Sequence, residues 1–281
     1  MKSIEELNQI VPQVRRDIVR MVHAVQSGHP GGSLGCAEFF VAMYFNILDY
    51  EATPFSKTGE NEDVFILSNG HISPVYYSTM ARAGIFEVNE LNTFRKIDSR
   101  LQGHPATEEG LEGVRIASGS LGQGLSVATG VALSKRVKGD DHWVYCLCGD
   151  GELQEGQNWE AIMFAGHNRV DNLILTVDFN QQQIDGSTVD IMGFSELGSK
   201  FEAFGWKVLS MNGNDLSDVL STMREAQAAA KQGQPVVIIM QTEMGNGVDF
   251  MMGSHEWHGI PPNDEQLESA LAQNPETLGD Y

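Results

Sequence analysis

The sequence predicts an α/β fold: a doubly wound, mostly parallel sheet flanked by helices. Three observations carry that reading. Short apolar runs with strand composition, at 63–68, 143–148, 173–177, 206–210 and 235–241, alternate with segments of helical periodicity. The runs are near-continuously hydrophobic, as strands covered on both faces must be. Polar, glycine-bearing turns follow the strand ends, as in βαβ units.

Composition narrows the function. Of 281 residues 41% are hydrophobic, enough for a substantial core. Lys and Arg number 18 against 38 Asp and Glu, a net charge of −20. A nucleic-acid footprint and attraction to an anionic membrane are therefore excluded as leading readings, and an anionic ligand would need a metal or local cations. The start, MKSIEELNQI, has no signal-peptide h-region, and no apolar run approaches the roughly 18 residues of a membrane span. The expectation is a cytoplasmic protein. Cys146 and Cys148 are alternate residues of one strand and Cys36 stands alone, so reduced, buried thiols are expected rather than a disulfide or zinc set.

In chain order, Ser3 to Gln26 shows helical spacing of Leu7, Ile10, Val14, Ile18 and Met21, and Ser3 with Glu6 is a capping-box pair. It ends at Ser27-Gly28-His29-Pro30-Gly31-Gly32-Ser33, read as a turn around one imidazole. Ala37–Leu48 is a buried helix and 53–62 a surface loop. The strand at 63–68 leads to Asn69-Gly70-His71, a second imidazole at a strand-to-helix junction. Gly103-His104-Pro105 repeats the pattern of Gly, His and Pro. Ser118-Gly119-Ser120-Leu121-Gly122-Gln123-Gly124 opens a small-residue helix to about Val137; no ribose-binding acid follows it, so a dinucleotide site is not expected. Beyond Gly186 come a helix at 194–204, a helix at 216–231, and a short helix and tail after Asn263.

The chemistry concentrates between Trp143 and Gly186. The first strand there breaks at Gly149-Asp150-Gly151, a helix follows from about Glu155 to Asn168, and the next strand ends at Asp178-Phe179-Asn180. In a parallel sheet both turns lie at the carboxyl edge, where α/β folds bind ligands. The Asp150 carboxylate and the Asn180 amide oxygen, brought together there, suit a hard cation. The glycines let the backbone approach a phosphate.

GDG, thirty residues, then Asn resembles the thiamine diphosphate motif, and GDGELQEGQNWEA resembles the transketolase family in particular. SGHPGGS, LSNGH, GHP, GSLGQG and the late HG pair match that family's segments in order over nearly the whole chain. The resemblance implies the diphosphate domain of the thiamine diphosphate-binding fold. It places His29, His104 and His258 at the substrate end, with His71 and His258 toward the diphosphate. It places the Gly119 backbone at the aminopyrimidine, Leu121 near the cofactor and Ile184 against the thiazolium, with Gly149, Asp150 and Gly151 forming the diphosphate turn. Mg2+ (or Ca2+ or Mn2+) takes Asp150, Asn180 and the backbone carbonyl of Gln182. Glu155 and Glu160 are implied to relay protons at a subunit interface; helix N-terminal acids stabilised by the macrodipole are the alternative for Glu160. The four imidazoles have reference pKa values that leave them essentially neutral at pH 7. Two departures stand out: Ser120 replaces the usual Pro, and Met244 the usual Lys.

A full transketolase also carries a pyrimidine-binding domain, whose glutamate activates the cofactor. The resemblance therefore implies one diphosphate domain over 1–281, working with a separate C-terminal subunit in an α2β2 assembly on sugar phosphates. Ketol transfer is the implied reaction. A deoxyxylulose-phosphate synthase-like enzyme, a 2-oxo acid dehydrogenase α-like chain, or a cofactor-holding module without turnover are the alternatives.

Overall fold

The computed structural model describes residues 1–51 and 55–281. Among the described residues seven strands form: β1 Val64–Leu67, β2 Val144–Gly149, β3 Leu173–Phe179, β4 Gln182–Gln183, β5 Gly186–Ser187, β6 Lys207–Asn212 and β7 Val236–Gln241. Five make one parallel sheet in the order β1-β2-β3-β7-β6, while β4 and β5 form a separate antiparallel hairpin.

Alternation along the strands builds two cores, one on each face, because successive side chains of a strand point oppositely. Phe65, Leu67, Tyr145, Leu147, Ile174 and Ile238 pack against the helices Ile4–Ala24, Ser73–Arg82 and Leu216–Ala229. Val64, Ile66, Cys146, Leu173, Leu175 and Val237 pack against Gly124–Lys138, Gly156–His167 and Leu197–Ala203. Each such aliphatic side chain, fully buried, contributes roughly 1.5–3 kcal/mol of transfer free energy. The sheet is therefore covered on both sides, as the near-continuous apolar runs require. The three cysteines are free and buried.

The expected elements form with small shifts. The Ser3–Glu6 capping box is present. Ala37–Ala42 continues as a π-helical turn, Met43–Ile47, rather than α-helix to Leu48. Thr53 and Pro54 of the expected surface loop lie outside the described residues; the rest of it forms no helix or strand, and Glu62 at its end is buried on Arg115. Met163 on the helix Gly156–His167 is exposed. The tail after Asp264–Gln273 is tied down: Asp280 accepts from Arg16 and Arg20 on the first helix.

One reading changes more. The stretch after His29 is not a turn but a buried helix, Pro30–Gly35, with Pro at its first position, where no N–H is needed. Its glycines serve contact rather than bending. A Cβ on Gly31 would lie 2.6 Å from Met244 Cγ and 2.8 Å from the Trp257 carbonyl, so the loop after β7 presses directly on this helix.

Register sets the site. Gly149 pairs opposite Asp178, and Asp178 opposite Met240, so β2, β3 and β7 end in step. The loops that leave them emerge side by side at the carboxyl edge.

Candidate active site

Those loops enclose a cavity of about 360 Å3. At one end stands Asp150, buried just past β2. Its carboxylate accepts from the Gly151 amide at 2.8 Å and the Gln181 amide at 2.9 Å, with Thr188 Oγ1 at 3.3 Å. Gln181 takes a left-handed φ of 59°, which turns the chain so that Asn180 and Gln182 flank Asp150. Asn180 Oδ1 accepts from the Gln182 amide, and its Nδ2 donates to Asp178 Oδ2 at 2.9 Å. Asp178, buried at the end of β3, also accepts from Thr242 Oγ1. Burial, and then the neighbouring Asp178 charge, push the Asp150 carboxyl up to about 7.

At the other end the imidazoles gather. His29 lies 5.0 Å from His71, 5.5 Å from His258 and 6.3 Å from His104, ring centre to ring centre, and His71 is 5.1 Å from His258. His29, His71 and His258 are half-buried, whereas His104 is exposed at the mouth. Burial, reinforced by His258 and Arg95, depresses His29 to about 4. Burial likewise lowers His71, His104 and His258, so all four are neutral at pH 7. Gly119, at φ 125°, lies against His104: a Cβ there would be 2.8 Å from His104 Cδ2.

Of the residues singled out from sequence, the structure brings all but one to this cavity. Gly149, Gly151, Asn180 and Gln182 line the acidic end with Asp150. Leu121 and Gly119 form a wall between the two ends, and Ile184, 63% exposed, stands on the rim. Glu155 caps the helix Gly156–His167 and is exposed at the rim. Glu160 is exposed on that helix and does not line the cavity.

Three residues near the site escaped the sequence reading. Asp178 holds the Asn180 amide. Glu152, buried in the cavity lining, accepts from the Gly122 and Gly149 amides. Arg95 has a left-handed φ of 55° and places its guanidinium so close that a Cβ on Gly103 would sit 2.3 Å from its Cζ. Asp178 and Glu152 had a signal, their places in DFN and in GDGELQEGQNWEA; Arg95 had none.

Among the described residues, no three His, Cys, Asp or Glu side chains converge as a ready-made metal cluster. The buried atoms His29 Nδ1, Asn69 Oδ1, Gln183 Oε1 and His258 Nδ1 have no hydrogen-bond partner, and all four residues line the cavity. An unpaired buried polar atom costs about 1–3 kcal/mol. The cavity is thus built for a polar occupant spanning an oxygen-rich end and an imidazole end.

Loops at the carboxyl edge of a parallel sheet, carrying GDG and Asn after adjacent strands, define an α/β protein with its ligand cavity at that edge. Comparison with known proteins specifies it: the profile described as "Transketolase, thiamine diphosphate binding domain" matches residues 7–276, and the chain belongs to that family. It is 37% identical over 272 residues to an apulose-4-phosphate transketolase subunit of Actinobacillus succinogenes, covering 96% of each chain. It is 35% identical to 6-deoxy-6-sulfo-D-fructose transketolase subunit SqwG of a Clostridium species, covering 92% of this chain and 93% of that one. The transketolase structure from Campylobacter jejuni superposes with a TM-score of 0.88 at 33% identity, over 97% of this chain but 43% of that one. The chain thus spans less than half of that transketolase and nearly all of the two relatives that are transketolase subunits. Among the described residues no helix is long and apolar enough to cross a membrane.

Proposed function

We propose that this chain is the diphosphate-binding subunit of a two-chain transketolase that moves a two-carbon ketol unit from a ketose phosphate to an aldose phosphate in the cytoplasm. The observation that carries the reading is the joining, in one cavity, of the Asp150–Asn180 turn to four neutral imidazoles. A module that only held the cofactor would need the first and have no use for the second.

When bound, thiamine diphosphate supplies the carbon nucleophile and electron sink for cleavage beside a carbonyl. Asp150, Asn180 and the Gln182 carbonyl would hold Mg2+ (or Ca2+ or Mn2+), a small oxygen-ligand set suited to a cation that completes its shell with phosphate oxygens. That cation is needed electrostatically: Asp150, Glu152 and Asp178 flank the diphosphate end, and no Lys or Arg lines the cavity among the described residues. Gly119 would meet the aminopyrimidine, with Leu121 packed near the cofactor and Ile184 against the thiazolium. His29 and His258 would then meet the substrate with the cavity-facing side of their rings, their Nδ1 atoms lying buried behind. As neutral imidazoles they can take a proton from a sugar hydroxyl and return it to a developing alkoxide. His104, exposed beside Gly119, meets substrate as it enters, and His71 packs against both His29 and His258.

Glu155 at the rim and Glu160 on the outer face of the helix would pass protons toward a neighbouring protomer. The pyrimidine-binding half is proposed to reside on a partner chain of roughly 300 residues, from typical domain sizes, in an α2β2 assembly. The two transketolase subunits of matching length support this. The test purifies the chain alone and with the partner encoded beside it, then compares mass by light scattering and ketol transfer with a panel of ketose phosphates. Activity from the mixture and none from either chain is expected; robust transfer by this chain alone defeats the two-chain reading.

A further inference from the structure

In the cavity lining Glu152 is 3% exposed, and no Lys or Arg pairs with it among the described residues. Its two oxygens collect three donors from three separate elements. Oε1 accepts from Ser68 Oγ, at the end of β1, and from the Gly122 amide at 2.8 Å. Oε2 accepts from the Gly149 amide at 3.0 Å, at the end of β2. Ser68 Oγ in turn accepts from the Gly124 amide at 3.1 Å. The glycine-rich turn is pressed onto this group: a Cβ on Gly124 would lie 2.4 Å from Ser68 Oγ. Three donors and no acceptor around two oxygens is the pattern of an ionised carboxylate, and desolvating such a group is tolerated only when its bonds are complete.

The bonds join opposite walls of the cavity. Gly119 and Leu121 belong to the 118–124 turn, whereas Gly149 opens the turn that carries Asp150. Other ties from the turn are few: Gln157 Nε2 donates to the Leu121 carbonyl at 3.2 Å, and the Ser118 amide to the Pro105 carbonyl at 3.0 Å. Neither of these reaches β1 or β2.

We propose that Glu152 is a positioning residue that bolts the 118–124 turn to the ends of β1 and β2, and so sets the distance between the ring wall and the diphosphate wall. The proposal rests on the cofactor reading given above. It assigns to Glu152 no contact with cofactor or substrate; its effect passes through the Gly122, Gly149 and Ser68 groups it holds.

Glu152→Gln tests this in the full chain, both by itself and together with its partner. Gln keeps the size but turns an NH2 toward the Gly149 or the Gly122 amide, leaving one N–H unpaired. Amide hydrogen exchange across 118–124 should quicken by about tenfold or more, the worth of a hydrogen bond to a charged group, while the helix Ile4–Ala24 is unchanged. Thiamine diphosphate affinity by calorimetry should fall by a similar factor. Adding Ser68→Ala should cost less in the Glu152→Gln background than in the wild type, because the two residues serve one bolt. Unchanged exchange across 118–124, or unchanged affinity in a variant whose wild type binds the cofactor, overturns the proposal. Faster exchange spread evenly over the chain overturns it too, since that marks a general folding defect. If the wild type takes up no thiamine diphosphate, the functional reading fails instead, and the exchange comparison alone decides the role of Glu152.

Discussion

The two ends of the cavity are built by different means. At the acidic end every key group is held by hydrogen bonds: Asp150 by two backbone amides, Asn180 by Asp178 and the Gln182 amide. At the imidazole end the rings are held by packing against each other and against glycine backbone, and two buried ring nitrogens are left without partners. The first arrangement suits a cofactor that must stay in place. The second leaves the rings without fixed hydrogen-bond partners, which suits groups that exchange protons. The ends also differ electrostatically, with crowded carboxylates at one and neutral imidazoles at the other.

Substitutions at the two ends should therefore fail in different ways. The largest effect is expected at the acidic end. Asp150→Ala should abolish thiamine diphosphate binding by the assembled enzyme, and chelation of the apo protein should do the same. Calorimetry that finds cofactor affinity intact after either treatment removes the metal role.

Next comes the imidazole end, where binding and turnover should separate. His29→Ala and His104→Ala should lower ketol transfer by roughly 10²–10⁴-fold, the range for lost acid–base groups. Cofactor affinity should stay within a few-fold and the melting temperature close to wild type. A loss of cofactor affinity as large as that in Asp150→Ala would erase the distinction between the ends.

A smaller effect concerns pH and the folded chain. His29 is depressed to about 4 from an ordinary 6.5 by burial and its neighbours. The unfolded chain therefore binds a proton that the folded one refuses. Stability from this group is fully present above about 6.5 and is lost as pH falls toward 4, by roughly 3 kcal/mol in total. His29→Gln should flatten the fall in denaturation midpoint between pH 6.5 and 4. An unchanged slope would mean that His29 titrates normally.

The smallest effect should be at Glu160, which is exposed and away from the cavity. Glu160→Gln should leave stability within about 0.5 kcal/mol and cofactor affinity within error. A marked drop in affinity would place Glu160 closer to the cofactor than its position on the outer helix face allows.

The acidic end was largely legible in advance, because adjacent parallel strands deliver the residues that follow them to one edge. Once 143–148 and 173–177 are strands, Asp150 and Asn180 must meet. The imidazole end was legible only as a set of motifs. His29, His71, His104 and His258 come from four loops spread over more than two hundred residues, and no local pattern says that they touch. The glycines after His29 illustrate the limit. Their number reads as a flexible turn, yet they form a helix, and Gly31 is there because Met244 and the Trp257 carbonyl leave no room for a Cβ.

What this sequence determined by itself was the alternation of strand and helix, the two faces of the sheet, and the edge at which the chemistry sits. Those follow from periodicity and from the chain direction of parallel strands, both local properties. Only the tertiary structure decided which carboxylates are buried, which ring nitrogens lack partners, and that Glu152 points inward to bind two strand ends and a distant turn. Solvent exclusion and hydrogen-bond completion depend on everything that surrounds a group, and for Glu152 those surroundings arrive from residues 30 and 84 positions away.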